Sequence, residues 1–191
     1  MTIQDSSLLS KPRCSALRLA VTTSLFSMMP MVAVGQAAHH MSANGDHTPP
    51  NLVQHVQEAT RQYVNVNNAI AAGYGPFLGC VSGPDHGAMG VHYVNGALLD
   101  ELIDVKQPEA LIYEPSDGKL TLVGVEYIVD ATTWLSSHSG PPVLDGQVFN
   151  FVDSPNRFNI PSFFELHVWA WRDNPQGSFV DWNNAVTCKG M

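Results

Sequence analysis

Residues 79–95 read GCVSGPDHGAMGVHYVN, and the rest of the chain can be interpreted outward from this stretch. Its glycines and proline predict a loop, and Val91–Val94 predict a short strand that follows the loop. A loop that delivers Cys80, His86 and His92 to the start of a strand is a common way of placing metal-binding or catalytic groups on a rigid support. A turn tethered by a disulfide bond would have the same composition, so both interpretations stay open at this point.

The N-terminal residues have the composition of a secretory signal peptide. Three basic residues precede an uncharged, mainly apolar run over residues 19–38, which contains Pro30 and ends in small residues. This run is short for a membrane span, and its proline, serines and threonines also argue against one. We therefore predict a secreted or periplasmic protein with a signal peptide at 1–37, a flexible His-rich leader at 38–50 and a single globular domain at 51–191.

The position of the cleavage site determines what the leader could bind. Cleavage after Ala37 would place His40 third from the new N-terminus, and cleavage after Ala38 would make His39 the first residue. The first arrangement can chelate copper(II) or nickel(II), and the second can chelate a metal ion through the free amine and the imidazole. The polar, proline-bearing composition of the leader instead favours a flexible tail without a bound ion.

The part of the chain that follows the signal peptide is strongly acidic. The whole sequence has a formal net charge of −8, and residues 1–37 contain three of its nine Lys and Arg residues but one of its 17 Asp and Glu residues, which leaves −10 for the remainder. Such a surface argues against nucleic acid as a partner and, after signal cleavage, against membrane binding. A metal ion or a small molecule is the partner that we expect.

Two cysteines remain once the signal peptide, which contains Cys14, is removed. Cys80 lies in the stretch quoted above, and Cys188 lies near the C-terminus. An even number of cysteines in an exported chain predicts a disulfide bond, and two free thiols are the alternative. A Cys80–Cys188 bond would hold the C-terminal tail beside residues 79–95.

The segment after the leader has the periodicity of an amphipathic helix. Apolar residues recur at intervals of three and four from Val53 to Ile70, and polar residues take the other face. The glycines and the proline at residues 73–76 end the pattern. We predict a helix that packs through its apolar face.

The remainder of the chain predicts antiparallel strands. Ala110–Glu114 and Lys119–Asp130 form a hairpin across a Pro-Ser-Asp-Gly turn, Ser162–Arg172 is another strand, and Ser178–Trp182 predicts a short last one. Residues 131–161 predict a long loop. Too few helices separate the strands for a parallel sheet. The predicted fold class is α+β, with one N-terminal amphipathic helix packed on a curved, mostly antiparallel, barrel-like β-sheet.

Three predicted strands each carry a potential metal ligand within an apolar run, namely His92, Glu126 and His167. A buried carboxylate must be paired, protonated or bound to a metal, because leaving it ionised and alone is costly. Two histidines and a carboxylate can bind a divalent transition metal (Zn, Fe, Mn or Cu) and leave coordination positions open. His86 and Glu114 are candidates for a further ligand.

The placement of inward-facing ligands on barrel strands resembles that of a cupin, in which such ligands hold an iron, manganese, zinc or copper ion. Cupins have a His-x-His motif with a nearby Glu, whereas His86 and His92 do not have that spacing. The resemblance implies a type of metal site, and membership of the family is not inferred from it.

Aromatic residues near the same strands predict a cleft for a small organic molecule. The candidates for contact with such a ligand are Tyr93, Tyr127, Trp169, Trp171 and Glu114. The sequence thus predicts an exported protein with a mononuclear metal site in an aromatic-lined cleft, suited to metal-assisted chemistry on a small organic molecule. One alternative is a non-catalytic periplasmic binding module for a metal ion or a small apolar ligand. Another is a metal-free network of buried hydrogen bonds.

Overall fold

A computed structural model describes residues 51–191, so the predicted signal peptide and His-rich leader lie outside the described residues. At the start of this range, α1 (Asn51–Thr60) and α2 (Val66–Ala71) are joined by a 3-10 turn at Arg61–Val64. The periodicity predicted one continuous helix, but Asn65 is extended and caps α2 with its side chain. No helix in the described range is long and apolar enough to span a membrane.

The remaining chain contains the strands β1 Gly75–Gly83, β2 Gly87–Val94, β3 Ala110–Ser116, β4 Lys119–Asp130, β5 Val143–Leu144, β6 Gln147–Val148, β7 Asn150–Val152 and β8 Phe163–Val168. Six of them form one antiparallel sheet in the order β1-β2-β3-β4-β8-β7, which curls into a half-barrel. The pair β5–β6 forms a separate small hairpin. The predicted mixed α+β class with a curved antiparallel sheet is therefore confirmed.

The glycine-rich stretch quoted first is a bulged hairpin, and the prediction that its first half is a loop was wrong. β1 and β2 pair across a turn at residues 84–86, and the register shifts twice along the pair. Gly90 has a φ of +101°, and a Cβ atom there would lie 2.8 Å from the backbone oxygen of Tyr113. Glycines that look like loop residues thus allow bulges and close strand contact within a sheet.

Two further strand predictions differ from the structure. Residues 131–161, predicted as a loop, contain the helix α3 (Ala131–Ser137) and the strands β5 to β7. β8 ends at Val168, because the Trp169 backbone N–H leaves the ladder and donates to the carbonyl oxygen of Ser178. Residues 178–182 form a loop rather than the predicted last strand.

The two faces of the sheet have different surroundings. One face, which includes Tyr93 and Tyr127, packs with Val53 and Val56 of α1 in the main hydrophobic core. Because side chains alternate along a strand, the neighbouring residues His92 and Glu126 point to the opposite face. The candidate site lies on that second, concave face.

The C-terminal tail is held against the edge of this second face. The predicted disulfide bond between Cys80 and Cys188 is confirmed, with 5.7 Å between the two Cα atoms. Cys188 and Val186 pack in a second apolar cluster with Trp169. Asn183 is fully buried and pairs with Ala88 of β2. The tail therefore fixes one end of the half-barrel.

Candidate metal centre and cavity

Three buried side chains of the metal-ligand type converge on the concave face. His92 comes from β2, Glu126 from β4 and His167 from β8, and one nitrogen or oxygen atom of each lies within 4.8 Å of the others. The His92 Nε2 atom is 3.2 Å from the Glu126 Oε2 atom and 3.5 Å from the His167 Nε2 atom. Their exposed fractions are 8 % for His92, 5 % for Glu126 and 1 % for His167. We call these residues the metal trio.

The curl of the sheet makes this convergence possible, because β3 lies between β2 and β4. Glu126 is the cross-strand partner of His167 on one side and of Ala110 on the other. His92 is paired two residues further along β3, with Ile112, so it reaches Glu126 diagonally across β3. The single-carbon side chain of Ala110 leaves room for the two longer side chains to meet above it.

Burial determines the protonation of the metal trio. Loss of solvation lowers the pKa of His92 and of His167 to about 3, so both imidazoles are neutral near pH 7. Neutral imidazole is the form that binds metal ions. Burial raises the pKa of Glu126 well above its ordinary value, and the nearby Glu165 carboxyl group raises that pKa further. Burial thus favours the neutral form of each of the three side chains, whose donor atoms face one another.

His167 has a second acidic neighbour on the far side of its ring. Its Nδ1 atom lies 3.9 Å from the Asp181 Oδ1 atom and, among the described residues, is a buried side-chain nitrogen without a hydrogen-bond partner. Histidines that bind a metal through one nitrogen commonly direct the other N–H to a carboxylate. Glu165, His167 and Asp181 also form a second group whose donor atoms lie within 4.8 Å of one another.

A half-open cavity of about 690 Å³ lies directly beside the metal trio, and His92 and Glu126 form part of its wall. The rest of the lining is mainly apolar and comes from the β1–β2 hairpin, from Ile128 of β4 and from the segment that leads into β8. The aromatic residues of the lining are Phe77, Phe158 and Phe163. A volume of this size is typical of small-molecule sites.

The aromatic residues predicted to contact a ligand lie away from this cavity. Tyr93 and Tyr127 belong to the core on the helix-covered face, where the Tyr127 hydroxyl group donates to the backbone oxygen of Val105 at 2.8 Å. Trp169 lies in the second apolar cluster, and Trp171 donates to the Thr60 hydroxyl group at 2.9 Å. Strand alternation explains the two tyrosines, since neighbours in sequence point to opposite faces.

The two residues proposed as further ligands also have other surroundings. His86 lies exposed in the β1–β2 turn, where its ring centroid is 6.3 Å from that of Trp182. Glu114 is paired with Arg172, and its Oε1 atom accepts a hydrogen bond of 2.9 Å from the backbone of Thr187. Glu114 therefore fastens the C-terminal tail to β3.

Two acidic residues near the metal trio were not among the candidates predicted from the sequence. Glu165 lies two residues before His167 on the same strand, and this spacing signals a shared face. Asp181 lies in a loop, so its proximity to His167 depends on the path of the chain after β8 and has no local sequence signal.

A comparison of the chain with protein-family models, curated proteins and solved structures found no match.

Proposed function

We propose that this is an exported protein that binds one divalent transition metal ion through His92, Glu126 and His167. The observation that carries the proposal is the convergence of these three buried donors from three separate strands at the wall of a cavity. Two histidines and one carboxylate are a common ligand set for zinc and for non-haem iron, with open positions for water or substrate.

The donor distances match those of a coordination shell. With metal–nitrogen and metal–oxygen bonds of about 2.0–2.2 Å, neighbouring ligand atoms of a tetrahedral site lie about 3.4 Å apart. The two distances at His92, 3.2 Å to Glu126 and 3.5 Å to His167, bracket this value. Small side-chain movements would therefore be enough to accommodate an ion.

A bound cation would also favour one tautomer of His167. If His167 protonates Nε2 to donate to His92, its bare Nδ1 atom faces the acidic side chain of Asp181 at 3.9 Å. If His167 protonates Nδ1 instead, that N–H group points toward Asp181, and the Nε2 lone pair can accept a hydrogen bond from the Nε2 atom of His92 or bind a metal ion. Metal binding through Nε2 is therefore compatible with the tautomer that places the Nδ1–H group beside Asp181.

The open coordination positions of the ion would face the apolar cavity. Metal-assisted chemistry on a small organic molecule held there is the activity that this arrangement supports, since a metal can polarise a carbonyl oxygen or activate water. The second candidate function is non-catalytic binding of a metal ion or a small apolar ligand. The predominantly apolar lining of the cavity favours that candidate.

Export is the second part of the proposal. It is supported by the signal-peptide composition of residues 1–37 and by the Cys80–Cys188 disulfide bond, which suggests a non-reducing compartment. The acidic charge supports a metal ion or small molecule, rather than nucleic acid or membrane, as partner. Mass spectrometry of the mature protein would test export by showing whether its N-terminus lies near residue 38.

Elemental analysis of the untagged protein purified from the periplasm tests metal binding. We expect about one equivalent of a transition metal in the wild type and its loss in His92→Ala and His167→Ala. His55→Ala serves as the matched control, because His55 is half-buried outside the metal trio and its Nδ1 atom contacts Asp145 at 2.9 Å. A His39→Ala/His40→Ala variant separates the leader from the metal trio. Metal loss in that variant alone would contradict the proposal.

A further inference from the structure

We infer that the cavity beside the metal trio binds an uncharged, largely apolar molecule with a single oxygen donor directed at the metal. This inference rests on the proposed metal site and identifies the class of ligand that would complete it. It follows from the distribution of charge and of apolar surface around the cavity.

The walls of the cavity favour a ligand whose main part is apolar. The hairpin of β1 and β2 contributes Phe77 and Val81, and the segment before β8 contributes Phe158, Ile160 and Phe163. Phe77 is 40 % exposed without a ligand. Burial of such surface against a ligand is favourable at roughly 25 cal/mol per Å² of apolar area. An aromatic or aliphatic body of modest size would therefore gain most of its affinity from these walls.

The polar groups of the cavity select against a charged ligand. Its ionisable lining residues are His92, Glu126, Asp130 and Glu165, and the lining contains no lysine or arginine. An anion would meet the carboxyl groups of Asp130 and Glu165 without a basic side chain, which offsets its attraction to the metal ion. A cation would be repelled by the metal ion held by His92 and Glu126, which offsets its attraction to those carboxyl groups. An uncharged alcohol, phenol or carbonyl group meets neither obstacle and can offer an oxygen lone pair to the metal.

The polar groups also fix the orientation of the ligand. His92 and Glu126 belong to both the metal trio and the cavity wall, whereas His167 is 1 % exposed and lies behind them. The open side of the metal therefore faces the apolar chamber. A ligand oxygen must point toward His92 and Glu126, with the apolar body toward the phenylalanines.

A series of naphthalene compounds tests the inference by isothermal titration calorimetry on the full mature protein loaded with Zn²⁺. We expect 2-naphthol to bind at least tenfold more tightly than naphthalene, 2-naphthoate or (2-naphthyl)methylammonium. Equal affinity for naphthalene would overturn the role of the oxygen. Tighter binding of either charged compound, or no binding of any compound, would overturn the inference as a whole.

Two variants test whether 2-naphthol binds in this cavity. Ile128 is half-buried in the cavity wall, so Ile128→Trp should fill the space and lower the affinity for 2-naphthol at least tenfold. Val148→Trp is the control, because Val148 is 57 % exposed and does not line the cavity. An unchanged affinity for 2-naphthol in folded Ile128→Trp would overturn the inference. If Ile128→Trp does not fold, the relative affinities of the wild type for the naphthalene compounds test the ligand class without a variant.

Zinc content, measured on the same samples, separates this inference from the proposed function. Protein that holds one equivalent of zinc but does not distinguish 2-naphthol from the other compounds overturns only the ligand class. Protein that cannot be loaded with zinc overturns the metal site itself and, with it, the directed oxygen.

Discussion

The Asp181→Asn substitution should weaken metal binding 10- to 100-fold, although Asp181 is not one of the three proposed ligands. The Asp181 Oδ1 atom lies 3.9 Å from the Nδ1 atom of His167. Two full charges at that distance would interact by about 4 kcal/mol at an effective dielectric constant of 20. Because a metal-bound imidazole carries only part of a charge, the expected loss is about 1.4–2.8 kcal/mol, within the range found for such outer partners.

Competition with a chromophoric chelator at pH 7 measures this effect on the zinc affinity of the full mature protein. Asp173→Asn is the matched control, since it removes the same charge at an exposed position. We expect its affinity to stay within twofold of the wild-type value. If the Asp181→Asn protein also stays within twofold, Asp181 does not support His167 and the proposed orientation of that imidazole is wrong.

Three further predictions concern the scaffold. Burial raises the pKa of Glu109 from 4.5 to about 7, so the wild type should lose about 3 kcal/mol of stability as the pH rises from 4.5 to 7. Urea unfolding of the Glu109→Gln variant should lack this pH-dependent loss. Identical pH profiles of stability for the two proteins would contradict the prediction. Replacing Cys80 and Cys188 with serine should lower the free energy of unfolding by about 4–5 kcal/mol in the chain-entropy model, because the disulfide bond joins residues 108 apart. A measured loss below about 1 kcal/mol would contradict this prediction. Ala110→Leu should separate His92 from Glu126 and reduce the metal content, and full metal content in a folded variant would show that Ala110 does not matter.

The sign of the Glu109 effect follows from the two states of the protein. The carboxyl group takes up its proton more readily when it is buried in the folded chain than when it is in water. Its contribution to stability is therefore complete below pH 4.5 and is lost as the pH rises through about 7. The buried histidines act in the opposite direction, because His92 and His167 have lowered pKa values and favour the unfolded state as the pH falls below 6.5. Only the difference between wild type and Glu109→Gln isolates the carboxyl group.

Features set by local pattern could be predicted from the sequence. The β3–β4 hairpin follows from two apolar runs joined by a Pro-Ser-Asp-Gly turn, and its antiparallel pairing is confirmed. The three members of the metal trio stood out as polar residues in apolar strands, and the structure brings them together. The cost of burying such groups is what makes this signal useful.

Features set by the three-dimensional path of the chain could not be predicted. The bulged strand β1 resembles a loop in sequence because its glycines serve bulges rather than turns. The tyrosines were assigned to the cleft on proximity in sequence, whereas alternation along β2 and β4 directs Tyr93 and Tyr127 into the core. Phe158 and Asp181 approach the site from loops, whose paths depend on the packing of the whole sheet.

Anomalous diffraction from crystals of the zinc-loaded protein would locate the metal ion directly. We expect one strong zinc peak at about 2.0–2.2 Å from the Nε2 atoms of His92 and His167 and from a carboxylate oxygen of Glu126. Zinc found only at His39 or His40, or the absence of a zinc peak among the three side chains, would contradict the proposed metal site.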